Sequence, residues 1–331
     1  MSIGIFLLVA LIKSVIIMAI LLTGFAYATL LERKLVAGMQ VRYGPNRVGP
    51  WGLLQPLADG IKLAFKEDSA PRGSDRVVFT LAPLISVIMA MCAFAVIPIG
   101  PTITVFGQQI GLELADVNIA ILYVLGVTSL GIYGIVLAGW ASNNKYSLLG
   151  GVRSSAQMIS YELALGLSLV GVLMITGTLQ LTDIVNAQQS VWFIFLQPLG
   201  FIIYFISAIA ETNRAPFDLP EAETELVAGY HTEYSGMKFA MFFMAEYINM
   251  ITVSAIATTL FLGGWHGPLD LADGPWWFFI KVFILMCVFI WLRATLPRLR
   301  YDRLMNFGWK VLLPLALLNI VLTAGGILLL T

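Results

Sequence analysis

Eight apolar runs, each long enough to cross a bilayer as a helix, constrain this chain more than any other feature. A hydrocarbon core of about 30 Å is spanned by about 20 mostly apolar helical residues. The runs near 3–31, 77–98, 118–140, 157–179, 190–210, 239–262, 276–296 and 309–330 meet that length. With 59% hydrophobic and only 11% charged residues, and a mean hydropathy of +0.88, the chain lies outside the range of soluble globular domains. An all-α integral membrane protein of about eight transmembrane helices is expected, organised as a single membrane domain over residues 1–331.

Glycines and prolines inside the runs, among them Pro83, Gly126, Gly131, Gly134 and Gly166, suit close helix packing in lipid. The first run is too long for a signal peptide and lacks its early basic residues, so it reads as a retained helix. A net charge of zero offers no basic surface for nucleic acid. Cys92 and Cys287 lie in apolar runs, where a small buried hydrophobe is the ordinary role. His231 and His266 fall in loops, which leaves metal binding poorly supplied and no intrahelical ligand for a b-type haem.

Charge alternates sharply between connections. Segments 32–76, 141–156, 211–238 and 293–310 hold seventeen of the nineteen Lys and Arg residues, whereas 99–117, 180–189 and 263–275 hold none. The positive-inside rule then puts the basic connections in the cytoplasm or its equivalent and both termini on the periplasmic side. Segment 51–67 is too polar to span, yet Leu53, Leu57, Ile61, Ala64 and Phe65 recur at helical spacing among Asp59, Lys62, Lys66 and Glu67. It reads as an amphipathic helix along the interface, either as an anchor or as the rim of a ligand entrance.

Charged residues within the spans are functional candidates, because each costs about 2.5–3.5 kcal/mol at the bilayer centre on insertion scales. Glu246 lies in the sixth run with Asn249 three residues on, Glu162 near the start of the fourth, and Glu211 at the end of the fifth. Lys13 and Lys281 are the only cations within spans that could balance Glu246. The connection ETNRAPFDLPEAETELVAGYHTEYSG gathers Glu211, Asp218, Glu221, Glu223, Glu225 and Glu233 around one internal cation, Arg214. Crowded like charges push carboxyl pKa values upward, which prepares them to exchange protons near neutrality. On the same side stand Glu32-Arg33-Lys34, Arg42 and Arg47, together with the basic run Arg293, Arg298, Arg300 and Arg303.

The stretches ERKLVAGMQVRYGPNRVGPWGLLQPLADGIKLAFKED, GWASNNKYSLLGGVRSSAQMISYE, ETNRAPFDLPEAETELVAGYHTEYSGMKFAMFFMAEY and RATLPRLRYDRLMNFGWK closely resemble the H-subunit family of bacterial complex I, the proton-pumping NADH:quinone oxidoreductase. The resemblance covers essentially the whole chain. It implies a subunit without redox centres of its own, with quinone as substrate and with flavin and iron–sulfur clusters held by partners. Those partners are the iron–sulfur and quinone-site subunits of the peripheral arm and the small and antiporter-like membrane subunits, in a bacterial inner membrane. Carried over by motif, Glu32, Arg33, Arg42, Asp59, Phe217, Asp218, Arg293 and Arg298 line or shape the quinone cavity and its entrance. Glu162, Glu211, Glu221, Glu223, Glu225, Glu233 and Glu246 form an acidic chain coupling quinone reduction to proton translocation. The residues themselves fit that chemistry: guanidinium groups stabilise developing negative charge and carboxylates supply protons. The related membrane-bound hydrogenase subunit remains an alternative, as does a free-standing secondary transporter, although no inverted repeat or paired broken helices support the latter.

Overall fold

The computed structural model describes residues 3–105, 108–218, 227–268 and 272–330, and across them the apolar runs are helical. In chain order these are α1 (Ile3–Met39), the amphipathic α2 (Gln55–Phe65), α3 (Arg76–Ala93), α4 (Ala120–Ala141) and α5 (Lys145–Thr176). Then come the short α6 (Leu181–Asn186) and α7 (Phe193–Leu196), α8 (Pro198–Glu211), α9 (Gly236–Phe261) and α10 (Pro275–Thr295). The chain closes with α11 (Tyr301–Phe307), a π-helical turn at Gly308–Leu312, and α12 (Leu313–Leu330). A two-stranded antiparallel hairpin, β1 (Ile103–Val105) with β2 (Gln108–Ile110), lies between α3 and α4.

Seven of the described helical segments are long and apolar enough to cross a membrane. The remaining expected run, the fifth at 190–210, is instead broken. Gln197 leaves helical geometry at φ −129° and ψ 52°, and Pro198, which cannot donate a backbone hydrogen bond, starts α8 afresh. The 14 residues of α8 reach only about 21 Å at about 1.5 Å per residue. Hydropathy alone hides this break, because the flanking residues stay apolar across it.

The helices also overrun their expected ends. α1 continues to Met39, about two turns beyond 31, and so carries Glu32 and Arg33 on a regular helix. α5 starts at Lys145 rather than near 157, because the Asn144 side chain caps it by accepting from the Tyr146 N–H at 2.9 Å. At its other end Gly177 adopts φ 69°, the left-handed geometry that closes a helix at little cost to glycine. α2 forms as expected and presents Leu57, Ile61 and Phe65 outward on one stripe, an apolar face suited to the membrane interface.

The core runs through the helices on buried aromatics, with Tyr161, Tyr204, Phe261 and Phe278 almost fully enclosed. Glycine makes the closest approaches. A side chain at Gly139 would sit 2.7 Å from the Ser147 carbonyl, so α4 and α5 meet backbone to backbone. A side chain at Gly150 would sit 2.7 Å from the Gly229 Cα, which presses the Gly229–His231 turn onto α5. The Ser147 hydroxyl reinforces that contact, within 3.2 and 3.0 Å of the Gly229 and Tyr230 carbonyls. The later described part of the connection after α8 is thereby held against the bundle.

Candidate functional site

At the basic end of the bundle α1, α9, α10 and the connection after α8 converge on Glu32. Its carboxylate accepts a hydrogen bond from the Tyr247 hydroxyl at 2.7 Å and from Arg214 Nη1 at 3.2 and 3.3 Å, and it pairs closely with Arg293. Arg214 is the centre of the cluster. It is 5% exposed, pairs through Nε with Glu246, and lies over the Tyr247 ring at 4.4 Å from its centroid. One guanidinium thus bridges a carboxylate on α1 and another on α9. Isolated charges in such a place are prohibitive; two arginines against two carboxylates balance one another, and Arg214 adds the multiple donors that a bridge requires.

Local sequence explains why Arg214 reaches this point. α8 ends at Glu211, and the Gln157 amide on α5 donates to the carbonyls of Ala210 and Phe217, both at 2.8 Å. The intervening turn is pinned at both ends, and Arg214 projects from it into the bundle. Phe217 is buried against Tyr161, with ring centroids 5.5 Å apart. Asp218 pairs with Arg298 at 3.0 Å, and the Leu299 N–H donates to the Pro216 carbonyl at 3.0 Å, which ties this turn to the segment after α10.

From Glu246 the acidic groups continue inward. Glu246, Asn249 and Glu211 line one small cavity of about 40 Å³ together with Thr128, Asn213 and Tyr230. That volume admits a small number of waters beside polar partners. Glu211 lies close enough to Glu162 for the two carboxyl groups to interact, and Glu162 accepts a hydrogen bond from Ser129. A polar path therefore leads from Glu32 through Arg214, Glu246 and Glu211 to Glu162.

Other expected site residues stand apart from this path. Arg33 pairs with Asp59 at 2.6 Å and joins α1 to α2; partial burial pushes the Asp59 carboxyl up, but the Arg33 hydrogen bond and charge hold it below its ordinary value. Arg42 lies beyond α1 and hydrogen-bonds Gln40 at 2.7 Å. Glu233 accepts from the Asn144 amide at 2.6 Å, at the start of α5. Glu221, Glu223 and Glu225 lie outside the described residues. His231 belongs to the Gly229–His231 turn, where burial lowers its pKa to about 4 and keeps the ring neutral at ordinary pH.

The structure supplies the cation that the sequence leaves open for Glu246. Neither Lys13 nor Lys281 balances Glu246; Arg214 does. Lys13 donates to the Glu113 carbonyl at 2.9 Å, and Lys281 to the carbonyls of Leu262, Gly264 and His266 at 2.6, 3.0 and 2.6 Å, both at the opposite end of the bundle. Arg214 and Tyr247 are the site residues that sequence reasoning misses. A signal for Arg214 exists, since it is the one internal cation of an acidic connection. Tyr247 gives none beyond its place next to Glu246.

An apolar cleft of about 480 Å³ opens between α1, α9 and α10. Its lining includes Leu30, Leu31 and Lys34 of α1, Leu53 just before α2, and Phe278 and Met286 of α10. It therefore reaches the turn of α1 that carries Glu32. Among the described residues no cluster of three or more His, Cys, Asp or Glu side chains is arranged to hold a metal ion.

The NADH dehydrogenase family matches residues 12–324. Among curated proteins, the H subunit of the Protochlamydia amoebophila NADH-quinone oxidoreductase is 58% identical over 302 residues, covering 91% of this chain and 92% of its own. The H subunit from Thermomicrobium roseum is 57% identical over 96% of this chain and 95% of its own. An H subunit from Geobacter metallireducens is 57% identical over 94% and 93% respectively.

Proposed function

The chain belongs to the NADH dehydrogenase family, and from that premise we propose that it is the membrane subunit of a NADH-quinone oxidoreductase in which the Arg214 cluster meets the quinone and the acidic path carries the resulting charge change toward proton translocation. The observation that carries this reading is the sharing of one buried guanidinium between Glu32 and Glu246. Reducing a quinone takes two electrons and two protons. Negative charge developing near Arg293 or Arg298 competes for the same guanidinium groups that hold Glu32 and Asp218. Weakening the hold of Arg293 on Glu32 leaves that carboxylate to draw Arg214 toward itself and away from Glu246, and the change is passed through the shared cavity to Glu211 and on to Glu162.

In this reading flavin and iron–sulfur clusters belong to partner subunits, and this chain supplies the quinone's surroundings. The apolar cleft beside Leu31 and Leu53 suits a hydrophobic tail, with α2 at its rim and Arg33–Asp59 fastening that rim to α1. Phe217 supplies an apolar wall, and Arg42 extends the basic surface that faces peripheral-arm partners. By their place in the acidic connection of the sequence, Glu221, Glu223, Glu225 and Glu233 are assigned to the same coupling with the small and antiporter-like subunits. The chain acts as one membrane domain of an energy-transducing, bacterial inner membrane, with its basic connections in the cytoplasm and both termini in the periplasm. The relatives' names favour quinone chemistry over that of a membrane-bound hydrogenase.

Arg293→Ala tests the assignment. Per assembled complex, quinone reductase activity is expected to fall about 10- to 100-fold, the worth of a hydrogen bond to a charged group. NADH oxidation by a hydrophilic artificial acceptor is expected to persist. Equal loss of both activities, or retention of both, removes the cluster from the quinone path.

A further inference from the structure

Tyr247 stands at the point where the two halves of the Arg214 bridge meet. It follows Glu246 in α9, so the two side chains leave the helix about 100° apart. Glu246 turns to Arg214, whereas Tyr247 donates its hydroxyl to Glu32 Oε2 at 2.7 Å and offers its ring face to the same guanidinium at 4.4 Å. Only 5% of Tyr247 is exposed, and its ring packs against Phe25 with centroids 5.9 Å apart. A phenol has few rotatable bonds and is here enclosed, while the two arginines around Glu32 end long, flexible chains. Of the donors that meet Glu32, Tyr247 is the one that adds no charge and has least freedom to move.

We propose that Tyr247 is a positioning residue, which fixes the Glu32 carboxylate relative to α9 so that Arg214 remains shared between Glu32 and Glu246. This rests on the functional reading above and names a group that reading does not require. Without the hydroxyl, Glu32 is free to follow Arg293 away from α9. Arg214 then settles on Glu246 alone, and a charge change at the quinone no longer reaches the acidic path.

Tyr247→Phe keeps the ring, its packing on Phe25 and its face toward Arg214, and removes only the donor. Intact complex on native gels and NADH oxidation by a hydrophilic acceptor are expected at parental levels. Quinone reductase kcat is expected to fall at least tenfold, with KM for a short-tailed quinone changing less than twofold. Because the hydroxyl acts through Glu32, adding Tyr247→Phe to Glu32→Gln is expected to change the rate less than twofold further. Glu32→Asp, which withdraws the carboxylate by one methylene, is expected to reproduce the Tyr247→Phe loss and serves as the second variant should Tyr247→Phe assemble poorly. A full rate in Tyr247→Phe alongside a depressed Glu32→Gln overturns this inference alone. So does a further, multiplicative loss in the double variant, or a full rate in Glu32→Asp. A full rate in Glu32→Gln overturns both this inference and the reading it rests on.

Discussion

Two buried cations at opposite ends of the bundle are handled in opposite ways. Lys281 is held by three backbone carbonyls and lies 4.3 Å from the centroid of the Trp192 ring, so each ammonium N–H has a fixed partner and none of those partners titrates. Arg214 is divided between two carboxylates, either of which can gain a proton, and beside it Glu32 answers also to Arg293. The first arrangement has one state. The second offers two carboxylates between which the guanidinium can be redivided, and a contact with two arrangements is what coupling between sites requires. Cost alone therefore does not distinguish a structural charge from a working one; the ability of its partners to exchange it does.

The largest expected effect is that of Arg214→Ala, which strands two buried carboxylates at once. Breaking a buried pair by removing one partner costs about 3–5 kcal/mol, and here two pairs share the lost partner. Native gels are expected to show little intact complex. Arg214→Lys is expected to restore assembly in part, because charge balance returns, but to recover much less quinone reductase activity, because an ammonium cannot reproduce the planar fork that spans both acids. Full activity in Arg214→Lys would reduce the bridge to mere charge balance.

Glu246→Gln is expected to act on turnover more than on assembly. Were Glu246 the sole partner of its cation, the amide would strand that cation and the complex would fail to form. Arg214 retains Glu32, so the stranding penalty is largely avoided. The expected result is near-normal assembly with quinone reductase and proton-pumping rates lowered tenfold or more, and a measurable part kept by Glu246→Asp. Poor assembly of Glu246→Gln would make this end of the molecule as fixed as the other and erase the contrast.

What the sequence reveals ahead of the structure follows from the range of the forces involved. Glu246 and Glu162 stand out because a carboxylate inside an apolar run is costly wherever the run folds, a property that one segment reveals by itself. The partner of Glu246 does not, because Arg214 is distant in sequence and reaches it only once Gln157 and the Gly150–Gly229 contact fix the connection after α8. Lys13 and Lys281 are plausible partners by depth; which end of the bundle each occupies follows from the alternation of the helices. The break at Gln197–Pro198 escapes for the opposite reason: hydropathy averages over a window, whereas a proline acts at one residue. The α5 cap at Asn144 is equally local, but it lies in a segment whose charge marks it as a loop.

The smallest expected effect on turnover is that of Lys281→Met, and it bears on the other side of the contrast. Methionine fills a similar volume and fits an apolar setting, but the carbonyls of Leu262, Gly264 and His266 lose their shared donor. Each buried acceptor left unmade costs about 1–3 kcal/mol before relaxation, and carbonyls that end a helix are partly relieved by small backbone adjustments. A loss of a few kcal/mol in the stability of the end joining α9 to α10 is expected on these grounds, visible as a lower midpoint for thermal dissociation of the complex. No carboxylate is stranded and the path from Glu32 to Glu162 is untouched, so quinone reductase activity per intact complex is expected within twofold of the parent. If that activity instead fell tenfold while assembly and thermal midpoint held, Lys281 would be exchanging charge with something that the three carbonyls do not account for. The distinction drawn from its partners would then fail at the end of the molecule where it is simplest.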